Sequence, residues 1–253
     1  MAEAGARWEF AIDRGGTFTD CIGVAPDGSL HTAKLLSSDT AAIEGIRAIM
    51  QRAGVLAEGE AVPPCRARMG TTVATNALLE RRGAATVLVA NAGLGDVLAI
   101  GTQERPDLFA LRVEKPAPLH RWVVEVPGRV AVDGAVVEPF DEAAARAALR
   151  GARDAGSESV AINLIHAYAH PELEDRLKEI AEALGFAYVS ASHEVARELG
   201  LLARGETTAV DAYLTPLLQQ HVTVLGAALP GSQLRFMQSS GGLTEEKRSA
   251  AHG

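Results

Sequence analysis

Trp8, Phe10 and Ile12 alternate with Glu9, Ala11 and Asp13, the period of a strand with one buried face. Gly15 and Gly16 supply a turn, and residues 17–24 return as a β-branched and aromatic strand. Pro26, Asp27 and Gly28 mark a second turn before a third strand over 30–36. Ile43, Ile46, Ile49, Met50 and Ala53 recur at helical spacing, and Gly54 is placed to end that helix. After Pro63 and Pro64, a short strand over 66–70 leads into a helix opening near Thr71 or Thr72. Either hydroxyl is a candidate cap, and the helix is predicted to reach about Arg82 and stop at Gly83.

A buried-type strand is predicted at 86–89, followed by a proline-rich loop region over 91–119, of the kind that carries function or an inserted subdomain. Residues 123–137 read as a hairpin turning at Asp133 and Gly134. Asp141 opens an alanine-rich helix to about Ala155, and 159–165 is a strand. Pro171 starts a helix with Leu173, Leu177, Ile180, Ala181 and Leu184 on one face, closed by Gly185 before a strand over 186–190. Strands joined through helices in this way pair in parallel with right-handed crossovers. A long amphipathic helix over 206–229, bent near Pro216, precedes a last strand at 234–238. The order predicts an α/β protein.

Composition narrows the class. Hydrophobic residues at 47% and charged residues at 22% describe a globular chain with a core, not a disordered one. A net charge of −8 offers no footprint for nucleic acid or an anionic membrane. The N-terminus lacks the basic flank and apolar core of a signal peptide, and no apolar run reaches the roughly 18 residues of a membrane span. A cytoplasmic location is the expectation. The two cysteines, Cys21 and Cys65, have no metal or disulfide spacing and read as buried free thiols.

The chemistry concentrates at residues 13–20. Gly15 and Gly16 let backbone amides approach a ligand, and Thr17 adds a hydroxyl. Asp13, at the end of a strand, is suited to a hydrated Mg²⁺ ion or to orienting water. There is no G-x-x-x-x-G-K-[ST] pattern and no helix directly follows, so this is not a P-loop. By itself the segment fits an ordinary hairpin turn as well as a phosphate clasp. Its setting favours the clasp: the hairpin, a third strand, a helix and then parallel units resemble the first half of the actin/Hsp70/sugar-kinase-like (ribonuclease H-like) ATPase fold. An inserted small α+β subdomain is expected over about 66–138.

Longer runs are more specific. AIDRGGTFTD at 11–20, MGTTVATNALLER at 69–81, IGTQ at 100–103, Arg105 with DLF at 107–109, DAYLTP at 211–216 and GGL at 241–243 resemble the hydantoinase/oxoprolinase family. Arg14 and the pair Arg204 and Gly205 favour its 5-oxoprolinase branch. The resemblance implies an N-terminal, hydantoinase A-type region over 8–205 and the beginning of the ATPase region over 206–253. It also implies ATP-dependent opening of a cyclic amide, 5-oxo-L-proline giving L-glutamate, or alternatively an N-methylhydantoinase-type substrate or a non-catalytic, partner-binding remnant. ATP with Mg²⁺, and a monovalent cation such as K⁺, are the implied cofactors. Asp13 would serve Mg²⁺ through water and phosphoryl transfer, while Arg14, Gly15, Gly16, Thr17 and Thr19 would hold phosphate.

Thr71, Thr72 and Asn76 lie at one helix start, where they are either caps with a surface amide or part of the cleft. Arg105, beside Gln103, is either a solvated loop cation or the partner of a substrate carboxylate. Asp211 reads as solvent-facing, and His166, His170, His193 and His221 as structural or surface groups. Ser240 and Ala110 depart from residues usual in the family. The chain ends at Gly253, about where the family's second glycine-rich phosphate loop begins. Little ATPase activity is therefore expected of this span without a C-terminal lobe or a hydantoinase B-type subunit, and exposed apolar surface would favour such a partner or a homo-oligomer.

Overall fold

In the computed structural model the described residues are 7–102, 109, 115–237 and 242–245. The chain divides into two compact units, 1–80 with 217–253, and 81–216. Residues 66–138 are shared between them.

In the first unit, β1 (Glu9–Arg14), β2 (Phe18–Val24) and β3 (Leu30–Leu36) form an antiparallel meander, followed by α1 (Ala41–Arg52), β4 (Arg66–Thr71) and α2 (Val73–Leu79). Strand β4 pairs in parallel with β1, placing Asp13 beside Gly70 and Arg14 beside Thr71. The alternation seen in the sequence is the alternation buried: Phe10 and Ile12 of β1 and Cys21 of β2 pack with Ile46, Ile49 and Met50 of α1.

Helix α2 stops at Leu79, a turn earlier than the glycine signal suggested. Glu80 caps it and Arg81 takes a left-handed φ of 56°, the usual way a helix end is turned aside. Gly83 has a different reason to be glycine: a β-carbon there would lie 2.3 Å from the Tyr213 ring.

The second unit holds β5 (Thr86–Asn91), α3 (Val97–Ile100), β6 (Trp122–Val126), β7 (Arg129–Val130), β8 (Val136–Glu138), α4 (Glu142–Asp154), β9 (Ser159–Ile162), α5 (Glu172–Ala183), β10 (Tyr188–Ala191) and α6 (Ser192–Val195). Its four-stranded sheet runs β10-β9-β5-β6, all parallel, and every residue of β5 is buried, as a central parallel strand requires. The single hairpin expected over 123–137 is split. The Asp133–Gly134 turn joins only β7 to β8, while β6 pairs with β5, because burying Val124 and Val126 in the sheet core outweighs a longer local hairpin. His166 and His170 contact the carbonyls of Val130 and Val132, at 2.8 and 3.1 Å, which makes them structural. The Asp141 carboxylate caps α4 by accepting from Ala144 N–H.

The long helix α7 spans Leu201–Ala228 with Pro216 inside it, beginning earlier than its apolar pattern predicts. The added turn is held by Arg204, which is fully buried, donates to Ser192 Oγ and to the carbonyls of Glu198 and Leu164, and lies over the Tyr168 ring. A buried arginine gives no amphipathic signal, so only its satisfied donors account for that turn. Asp211 is half-buried instead of solvent-facing: Ser190 Oγ donates to it at 2.6 Å, and burial raises its carboxyl above the usual range. Strands β11 (Gln233–Met237) and β12 (Leu243–Glu245) return to the first unit and complete its sheet, ordered β12-β11-β4-β1-β2-β3. Both cysteines are buried and free. Among the described residues, no helix is long and apolar enough to cross a membrane.

Candidate functional site

The β1–β2 turn is built around Ser37. Its hydroxyl donates to Gly15 O at 2.7 Å and meets Thr19 Oγ1 at 3.0 Å, while its amide donates to Thr17 O at 2.9 Å. Gly15 N–H donates to Phe18 O at 3.0 Å. These bonds fix a loop whose Gly16 and Thr17 amides make no hydrogen bond among the described residues, and whose Thr17 side chain is exposed. Two adjacent unpaired backbone donors are available to an anion.

Strand β4 and helix α2 supply the neighbouring wall. Gly70 lies beside Asp13, where a β-carbon would come within 3.4 Å of Asp13 Oδ1. The Asp13 carboxylate is exposed and makes no hydrogen bond or ion pair among the described residues. A strand-end carboxylate left open to water beside free amides has the donor chemistry for a hydrated divalent cation carrying phosphate. Thr72 is tied to the hairpin, its amide and hydroxyl donating to Arg14 O at 3.1 and 3.3 Å. Asn76 Nδ2 donates to Thr72 Oγ1 at 3.2 Å and sits over Gly16. Thr71, not Thr72, takes the capping bond, from Val73 N–H.

The structure thus gathers Asp13, Gly15, Gly16, Thr17, Thr72 and Asn76 into one place, with Thr71 just behind. Thr19 stands apart from that group. It is fully buried and its hydroxyl faces Ser37, so it supports the turn from beneath. Arg105 and Gln103 lie outside the described residues, as do Ala110 and Ser240.

His221, expected to be a structural or surface group, is buried and structural, and its partner on the first strand is what the sequence does not show. Its Nδ1 lies 3.1 Å from Arg14 Nη1, and Arg14 Nη2 donates to Asp39 at 2.9 Å. Burial, and then the Arg14 cation, push the His221 ring down to about 4, against a smaller opposite pull from Asp39. A lone histidine on a helix carries no local sign of a partner on the first strand.

A second ionisable cluster lies in the other unit, where Asp175, His193 and Glu194 bring ligand-type atoms within 4.8 Å of one another. Lys178 already neutralises Glu194 at 2.6 Å and the buried Glu174 holds His193 at 2.8 Å, so these groups form a salt-linked surface knot.

The chain matches the hydantoinase/oxoprolinase N-terminal region over residues 9–185. It is 38% identical to 5-oxoprolinase 1 of Arabidopsis thaliana, over 96% of this chain and 22% of that protein. With the 5-oxoprolinase of Saccharomyces cerevisiae the identity is 34%, over 93% of this chain and again 22% of the relative. The fold superposes on the ATP-dependent caprolactamase of Pseudomonas jessenii with a TM-score of 0.77 and 31% identity, covering 93% of this chain and 36% of that one. The chain therefore spans about a fifth of the length of its 5-oxoprolinase relatives. The α/β, hydantoinase-type ATPase fold expected from the sequence is the fold the chain has. The protein is a member of the hydantoinase/oxoprolinase family.

Proposed function

We propose that this chain is the phosphate-holding, N-terminal part of an ATP-dependent 5-oxoprolinase that converts 5-oxo-L-proline to L-glutamate. The observation that carries the reading is the free Asp13 carboxylate beside the unpaired Gly16 and Thr17 amides, in a chain of this family. In this reading Gly15 and Gly16 admit the phosphates closely, the Gly16 and Thr17 amides and the Thr17 hydroxyl hold their oxygens, and Thr72 and Asn76 line the side of the loop. Asp13 would hold Mg²⁺ through water, which neutralises phosphate charge when bound. K⁺ has no assigned ligand among the described residues.

The chemistry explains why ATP is needed. A five-membered lactam is an unstrained amide and a poor electrophile. Transfer of the γ-phosphoryl group to its oxygen breaks the bond to ADP and forms an imidate-like phosphate ester. Water then adds at the ring carbon and the C–N bond opens, freeing the amine and leaving an acyl phosphate, which a second water hydrolyses to the carboxylate and phosphate. Ring hydrolysis would draw on the remaining length of the enzyme or a hydantoinase B-type subunit, and we place the enzyme in the cytoplasm, with the ATP pool.

The caprolactamase likeness favours a lactam of another size as the second reading, but identity to the 5-oxoprolinases is higher, 38% and 34% against 32% for the caprolactamase alpha subunit. The test is ADP and glutamate formation by the enzyme at the full length of its relatives. Turnover driven by 5-oxoproline supports the assignment; turnover driven only by caprolactam or a hydantoin overturns it.

A further inference from the structure

We propose that Arg14 is a strut and not a phosphate ligand, and that His221, with Asp39, is a positioning residue that sets the hairpin through it. The inference rests on the phosphate-hairpin reading for its link to ATP, though its structural half stands alone.

Arg14 ends β1, one residue before the glycine pair. Its carbonyl accepts from Thr72 N–H and Thr72 Oγ1, at 3.1 and 3.3 Å, so the backbone is pinned to the β4–α2 junction. Its guanidinium is turned to the other side, reaching His221 of α7 and Asp39 of the segment before α1. One residue thereby ties the hairpin to three separate stretches of chain. The side chain is only 14% exposed, whereas Asp13 and Thr17 are open to water. A group meant to grip an incoming phosphate would be expected on that open side.

The two anchors are unequal. Asp39 is 89% exposed, and an ion pair so open to solvent contributes little. His221 is buried, so its bond to a cation is sheltered and correspondingly stronger. Arginine can only donate, so Nδ1 must present its lone pair, which fixes the ring as the neutral form carrying its proton on Nε2. A positive ring would face a positive guanidinium. Asparagine places an oxygen near the position of Nδ1 and keeps the acceptor; leucine keeps bulk and removes it. Beside the ring is a cavity of about 100 Å³ lined by Asp39, Val73, Leu217, Gln220, His221 and Val224, which gives either replacement room.

The test compares wild type, His221→Leu, His221→Asn, Arg14→Met and the double variant Arg14→Met/His221→Leu. The first readout is ligand-free hydrogen exchange at the Gly15 and Ser37 amides, which close the turn. The second is KM for ATP against kcat in the full-length enzyme. His221→Leu is expected to speed exchange about tenfold and raise KM similarly with kcat little changed, His221→Asn to restore both, and the double variant to match Arg14→Met alone. Wild-type exchange in His221→Leu overturns the proposal, as does a double variant worse than Arg14→Met. Asp39→Asn, at an exposed site that leaves folding secure, should change exchange less than His221→Leu, and the reverse order also overturns it. Absence of ATP binding in wild type would instead refute the phosphate reading, leaving the exchange result to decide the strut.

Discussion

Asn76 roofs Gly16: a β-carbon added to Gly16 would lie 3.2 Å from Asn76 Nδ2. That amide is itself held by Thr72 Oγ1, so the hairpin turn and the first turn of α2 share one surface. The glycine is there to leave room for a neighbouring side chain, and Gly16 is not among the glycines with positive φ.

Gly16→Ala should therefore move Asn76 and weaken nucleotide binding. The effect should be smaller when Asn76 is already alanine, because the clash is then gone. A double-mutant cycle on binding should give a coupling of about 0.5–3 kcal/mol, and simple additivity would show that the two residues do not meet.

Gly45 tests the core under the hairpin. A β-carbon there would meet Cys21 Sγ at 2.3 Å and Leu35 Cδ1 at 3.2 Å, pressing α1 against β2. Gly45→Ala should destabilise by about 1–3 kcal/mol despite the better helix propensity of alanine. Denaturant melts measure it. Burial and the nearby Asp20 push the Cys21 thiol up to about 11, so alkylation at neutral pH should be slow in the folded protein and speed up with unfolding.

Acid sensitivity should centre on His221, which faces Arg14 and Asp39. The unfolded ring takes a proton near 6.5, but the folded ring resists until about 4. Below 6.5 the unfolded chain binds more protons, so stability is lost as pH falls through that window and levels off beneath it. The loss attributable to this group is at most about 3 kcal/mol. Melts of wild type and His221→Asn between pH 7 and pH 4 should diverge as the pH drops, wild type losing stability that the variant keeps; parallel curves would exclude His221 as the cause.

How much of this was legible in the sequence follows from what each residue depends on. The hairpin could be read because Trp8, Phe10 and Ile12 keep strict alternation up to the glycine pair, and that pattern is local. Thr19, expected from the family likeness to hold phosphate, lies by strand parity on the buried face with Cys21, a parity the sequence itself carries. The β7–β8 turn was visible at Asp133 and Gly134, but the pairing of β6 with β5 was not, since pairing is decided by which partner completes the sheet. Arg204 and His221 are polar groups whose roles come from partners far along the chain, and no spacing rule encodes those.

The most direct test is Asp13→Asn in the enzyme at the full length of its 5-oxoprolinase relatives, followed by 5-oxoproline-dependent phosphate release alongside a thermal melt. The carboxylate is exposed and unpaired among the described residues, so the melt should be unchanged. Turnover should fall on the order of 100- to 1000-fold, because the group acts on charge that develops in phosphoryl transfer. An unchanged melt with near-wild-type turnover would contradict the placing of the phosphate site on this hairpin.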